Sequence, residues 1–197
     1  MGKNSAARQH LAQQVAQLMW EQGIQDYRLA KEKAARRLHL DSRHLPDNRE
    51  IAEALRVHSR LFGGAQAAQR EQDLLAAAVE LMGLLENLQP RLVGDLLSDT
   101  LTPHSELELH LFTDVPEQAE LLLQSRGLSC EWHERRLRFG EDDYRNLPAL
   151  RLEWNGLGVK AVVFPVRGLR QAPLSPIDGK PMRRASLADA EIMLAAA

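Results

Sequence analysis

The sequence predicts an α+β protein. Residues 1–89 read as a helical N-terminal region, and residues 90–197 as a mixed β-sheet core with flanking helices and a Pro/Gly-rich basic tail. Three observations carry this reading. Apolar residues recur at three- and four-residue spacings until Pro90, the signature of helices with one buried face. From Leu92 the period drops to two, most clearly in Glu106-Leu-Glu-Leu109, as expected of strands. Glycine and proline then punctuate the chain between short apolar segments, as loops between strands and helices require.

Leu11, Val15, Leu18 and Met19 define the first helix, and Gly23 stops it. Asp26 is placed to cap a second helix carrying Tyr27, Ala30, Ala34 and Leu38 and running to Leu40. The loop 41–48 ends in cap-type residues ahead of Ile51, Leu55 and Val57. After Gly63-Gly64, an Ala- and Leu-rich helix from Gln66 to Leu88 is closed by Pro90. Strand character follows over Glu106–Phe112, and a helix over Pro116–Ser125 with proline at an early position and Gly127 after its end. Further strands are expected around Glu131–Leu137, Leu150–Trp154 and Val159–Val166. Asn155-Gly156 suits a hairpin turn, with Gly158 expected to lengthen the loop beyond two residues. Ser186 should cap a short last helix from about Leu187.

Composition narrows the function. With 197 residues the chain can bury a proper core. A net charge of -2 gives no global field for nucleic acid. No apolar run is long enough to span a membrane, so no membrane partner is expected. Met1-Gly-Lys-Asn-Ser-Ala-Ala-Arg8 has no apolar centre for a secretory signal, and Ala6 stands where myristoylation wants Ser or Thr. Cys130 is the single cysteine, which excludes an intramolecular disulfide and points to a cytoplasmic setting.

The chemistry concentrates in Leu92-Val-Gly-Asp-Leu-Leu-Ser-Asp-Thr-Leu-Thr-Pro-His-Ser-Glu-Leu-Glu-Leu-His-Leu-Phe112. On a strand, Glu106 and Glu108 project from one face while the leucines between them face the other. Two carboxylates on a rigid strand beside a glycine turn are what a phosphoryl-transfer site uses to hold divalent metal. The stretch resembles the signature of the nucleotidyltransferase superfamily related to DNA polymerase beta. There an apolar residue, Gly and a small residue lead to two acids separated by one apolar residue. The resemblance covers roughly Pro90 to Val166. It implies metal-dependent transfer of a nucleoside monophosphate from a nucleoside triphosphate, with magnesium or manganese as cofactor. Carried over, Glu106 and Glu108 would bind metal, and Gly94 and Asp95 would meet the nucleotide. The whole chain also resembles a family of proteobacterial proteins that joins such a core to a helical N-terminal part and a tail like Leu169–Arg184. Some of its members bear the name of a muramate–alanine ligase, but no Gly-rich run ending in Gly-Lys-Thr/Ser for ATP occurs here.

The chain departs from the superfamily pattern in three places. Glutamates replace aspartates, which moves each ligating oxygen by roughly an ångström, although magnesium wants oxygens at about 2.0–2.1 Å. Asp95 puts an anion where phosphates would lie, a repulsion of roughly 4 kcal/mol at about 4 Å and an effective dielectric of 20. The expected third acid is missing from Val159–Phe164, where Lys160 shares a face with Val162; Glu153 is the nearest substitute. The alternative is therefore a catalytically degenerate binding or regulatory module contacting nucleic acid or a partner protein. A plainer reading of Glu106 and Glu108 is the solvated face of a half-exposed strand. Whichever role they have, crowding should raise the pKa of both.

His104 and His110 share the parity of the two acids if the strand begins early, but ligands two apart lie about 6–7 Å from one another, too wide for four to converge on one ion. Cys130 lacks a nucleophile's partners. Two basic stretches remain: Arg28, Lys31, Lys33, Arg36, Arg37 and Arg43, and then Arg167, Arg170, Lys180, Arg183 and Arg184. Arg36, Arg37, Arg183 and Arg184 are the expected contacts if nucleic acid is a partner.

Overall fold

The computed structural model describes residues 2–38 and 45–197, with side chains from Arg8 to Arg37 and from residue 45 onward. Leu40, Asp41, Arg43, the side chain of Leu38 and most of the loop expected over 41–48 lie outside the described residues. The described part is mixed α and β and divides into two compact units. The first comprises Met1–Arg70, Asp99–Ser105 and Pro176–Asp178; the second comprises Glu71–Ser98, Glu106–Ser175 and Gly179–Ala197. Among the described residues, no helix is long and apolar enough to cross a membrane.

The first unit is helical: α1 (Gly2–Gln22), α2 (Tyr27–Leu38), α3 (Asn48–Phe62) and the opening turns of α4 (Gly64–Leu84). Gly23 ends α1 at φ +65°, and a Cβ there would come within 2.9 Å of His104 Cγ. Only glycine fits such a turn without strain. Asp26 Oδ1 accepts hydrogen bonds from the amides of Arg28 at 2.7 Å and Leu29 at 3.0 Å, satisfying donors that the first turn of α2 leaves open. Asp47 and Glu50 form a reciprocal capping box at the start of α3. Val15, Leu18, Met19, Tyr27, Ala30, Ala34, Ile51 and Leu55 make the buried core, joined at its margin by Ile177. The expected helix from Gln66 to Leu88 begins two residues earlier, at Gly64, and ends at Leu84; Glu86–Leu88 forms a 3-10 turn.

The second unit is built on five strands: β1 (Arg91–Val93), β2 (Leu107–Phe112), β3 (Cys130–Arg138), β4 (Tyr144–Trp154) and β5 (Leu157–Phe164). Their order in the sheet is β1-β2-β5-β4-β3. β2 and β5 run parallel and the other neighbours antiparallel, so the sheet is mixed. α5 (Asp95–Ser98), α6 (Glu117–Ser125) and α7 (Leu187–Ala196) complete the unit with the rest of α4. Ser186 caps α7 through a capping box with Asp189. Leu107, Leu109 and Leu111 of β2 are fully buried, as are Val159 and Ala161 of β5. The opposite faces of these strands carry Glu108, His110, Lys160 and Val162.

Several expectations need correction. The β4–β5 loop has two residues, because Asn155 (φ 52°) and Gly156 (φ 76°) are both left-handed and Trp154 pairs directly with Leu157. That is the geometry of a I′ turn, and it leaves Gly158 inside β5. β4 starts at Tyr144, ahead of the predicted Leu150, although it contains Pro148. Pairing with β5 begins only at Ala149, so Pro148 withholds no N–H from a β5 partner. β2 begins at Leu107, so His104 lies outside it, in a turn segment of the first unit.

Candidate functional site

Register places the chemistry on one face of the sheet. Glu108 of β2 stands between Val93 of β1 and Lys160 of β5; Lys160 stands opposite Arg151 of β4, and Arg151 opposite Glu131 of β3. The next row on this face runs Arg91, His110, Val162, Ala149 and His133. A cavity of about 230 Å³ opens over these two rows, and Arg135 lines it from β3.

Glu106 precedes β2 and turns toward Lys160 and Arg151. Its Oε1 accepts a hydrogen bond from Arg151 Nη2 at 3.1 Å, and its Oε2 pairs with Lys160 Nζ. Burial pulls the Glu106 pKa upward, but the hydrogen bonds and charges of Lys160 and Arg151 together prevail and hold it below the ordinary value. Glu108 has the opposite character. It is half-buried, and no hydrogen bond or ion pair satisfies its carboxyl among the described residues. Burial first, then the nearby Asp95, raise its pKa, against the opposing charges of Arg135 and Lys160. The expectation that both acids titrate high is therefore wrong for Glu106. Crowding alone leaves out the two direct cationic partners of Glu106.

Each acid is packed against a glycine. Gly94, in the turn after β1, has φ +84°, and a Cβ on it would lie 3.0 Å from Glu108 Cδ and 3.1 Å from Glu108 Cβ. Gly158, on β5, would bring a Cβ within 2.6 Å of Glu106 Oε1. Asp95 opens the single-turn α5 and is half-buried near Glu108. The predicted site residues Gly94, Asp95, Glu106 and Glu108 thus do come together. The lysine on the neighbouring strand comes with them.

A metal centre does not follow from this set. Glu106 is already engaged by two cations, and Lys160 stands beside Glu108 where a further carboxylate would be wanted. Glu153 pairs with Gly158, one row beyond Arg151. Among the described residues, no group of three or more His, Cys, Asp or Glu side chains is arranged to hold a metal ion. The residues present do not fit magnesium or manganese, which need several oxygen ligands in close geometry.

Periodicity places His110 on the face of the acids but gives no sign of its partner Arg184. Only 2% exposed, His110 accepts at Nδ1 a hydrogen bond of 3.0 Å from Arg184 Nε. Burial first, and then the charges of Arg184 and Arg135, push its pKa well below the usual value, so the ring is neutral. Arg184 also donates from Nη1 to the Gly168 carbonyl at 2.8 Å and lies 4.9 and 4.8 Å from the ring centroids of Phe112 and Phe164. Its Nη2 is buried without a hydrogen-bond partner among the described residues, and burial lowers its pKa to about 10. Aromatic faces supply the negative potential that an acceptor would otherwise provide.

The other basic candidates lie elsewhere. Arg36 and Arg37 are exposed in the last turn of α2. Arg183, also exposed, donates to the Leu97 carbonyl at 2.9 Å. Cys130 has no activating partner among the described residues: burial and the charge of Glu120 push its thiol pKa up, away from the thiolate. No family model matches the chain, and no curated protein is significantly similar to it.

Proposed function

We propose that this chain is a nucleotidyltransferase-like protein, related in its core to DNA polymerase beta, whose ancestral metal-dependent transfer is impaired, and that it now works in the cytoplasm as a binding or regulatory module. The observation that carries the proposal is the engagement of Glu106 by Lys160 and Arg151. A carboxylate that must bridge metal to phosphate needs its oxygens open, and both oxygens of Glu106 are taken by cations. Lys160 does at once what a bound cation would do transiently: it neutralises the acid face. Asp95 reinforces the point, since it adds negative charge beside Glu108 on the side where a triphosphate would approach.

Thermal unfolding tests the reading. A metal and nucleotide bound at a hundredfold excess over the dissociation constant would stabilise the fold by about 2.7 kcal/mol. The expected result is no shift with magnesium or manganese plus any of the four common nucleoside triphosphates. A clear shift that disappears when Glu106→Gln and Glu108→Gln are combined would restore the metal-dependent enzyme.

A further inference from the structure

The cavity over the sheet presents hydrogen-bonding groups that the protein itself leaves unused. Arg184 Nε–H points at His110 Nδ1, and a guanidinium can only donate, so that nitrogen must be the acceptor. The proton of the neutral ring therefore sits on Nε2. Nε2 makes no hydrogen bond among the described residues, and His110 lines the cavity. Arg135 lines it too, from the exposed strand β3, and its guanidinium forms no hydrogen bond or ion pair among the described residues. Glu134 also lines the cavity, with its carboxylate engaged on β3, where Oε2 accepts from Asn146 Nδ2 at 3.3 Å. The negative charge of Glu106 is already matched by Lys160 and Arg151, a trio that is net positive.

We propose that this cavity is a metal-free binding site for a small oxyanion, a carboxylate or a phosphate, held by the His110 Nε2–H and the Arg135 guanidinium. The inference deepens the binding-module reading and rests on it. A planar guanidinium beside a fixed N–H donor suits an anion with two or more oxygens. Arg184 gives the imidazole its role by fixing the tautomer, so the donor is in place before the ligand arrives. At about 230 Å³ the space is smaller than the roughly 300–1,000 Å³ that encloses drug-sized ligands, and suits a small acid or phosphate group. Val162 and Ala149 form an apolar floor in the same row as His110. The charged groups lining the cavity are Arg135 and Glu134 from β3, Lys160 from β5, Arg151 from β4 and Glu108 from β2, with Glu106 paired to Lys160 and Arg151 and Asp95 near Glu108 behind them.

The charge of Glu108 makes the proposal decidable. In a metal-free oxyanion site this carboxylate only repels, so Glu108→Gln should tighten binding; in a metal-bridged site it is a ligand, and the same change should abolish binding. The experiment is titration calorimetry of the full chain with inorganic phosphate and with malonate, with and without magnesium or manganese. It is paired with ¹⁵N NMR of the histidine rings. The expected result is saturable binding of at least one anion without metal, weakened roughly tenfold or more by Arg135→Gln and tightened by Glu108→Gln. The His110 Nε2 resonance should move on binding. The two probes distinguish a carboxylate ligand from a phosphate. Absence of saturable binding by either anion, or binding indifferent to both substitutions, overturns the oxyanion site while leaving the loss of metal chemistry standing. Binding that requires magnesium or manganese and is lost in Glu108→Gln overturns both.

Discussion

Gly94→Ala separates what a glycine does for the fold from what it would do for a ligand. At φ +84° an L-residue pays a backbone penalty of roughly 1–2 kcal/mol. The added methyl would also lie 3.0 Å from Glu108 Cδ, 3.1 Å from its Cβ and 3.2 Å from its Cγ, all closer than ordinary contact. The carboxyl end can rotate away. The Cβ cannot, because Glu108 is paired in register with Val93 across β1 and β2. Overpacking against a fixed atom costs about 1–3 kcal/mol, and the two effects together give an expected loss of roughly 2–5 kcal/mol. Urea unfolding of the unliganded protein measures it, as a lower midpoint at unchanged slope. The same substitution in a Glu108→Ala background divides the loss. The backbone part persists while the crowding from Cγ and Cδ is relieved, so the double-mutant cycle should show coupling of about 0.5–1.5 kcal/mol. If Gly94→Ala costs less than about 0.5 kcal/mol, within the usual range for inert surface changes, the packing argument is wrong and the glycine would be reserved for a ligand.

Two further outcomes follow from the carboxylates and from Arg184. The Glu106 pKa is lowered by folding, so its contribution to stability is full above the unfolded value of about 4.3 and is lost as pH falls through the native value. The Glu108 pKa is raised, so its contribution is full below the unfolded value and is lost as pH rises through the native value. Near neutral pH, Glu106→Gln should therefore destabilise and Glu108→Gln should stabilise, which urea midpoints across the acid range will show; shifts of the same sign would contradict the assignment. Arg184→Ala should cost roughly 2–4 kcal/mol in thermal unfolding, through lost aromatic contacts and stranded acceptors at Gly168 and His110. It should also raise the His110 pKa, read by NMR, because one of the charges that depress it is gone.

What could be read from the sequence was what the chain decides locally. The caps Asp26 and Ser186, the stop at Gly23, and the two-residue alternation of β2 each depend on a few neighbouring residues, although Glu106, expected on that strand, precedes it. The early start of β4 at Tyr144 was not legible, because whether a strand tolerates Pro148 turns on whether it has a partner on its second side at that point, and only the sheet order answers that. Long-range partners were hidden for a stronger reason. Arg184 lies 74 positions from His110, and Lys160 reaches Glu106 only because β2 and β5 run parallel in one particular register. A shift of that register by one residue would turn Lys160 to the other face and bring Val159 or Ala161 beside the acids instead. The same Glu-Leu-Glu-Leu pattern would then present two open carboxylates. The chemistry of the acid pair is thus decided by the strand laid beside it, and the lysine on that strand is the residue on which the proposed binding role rests.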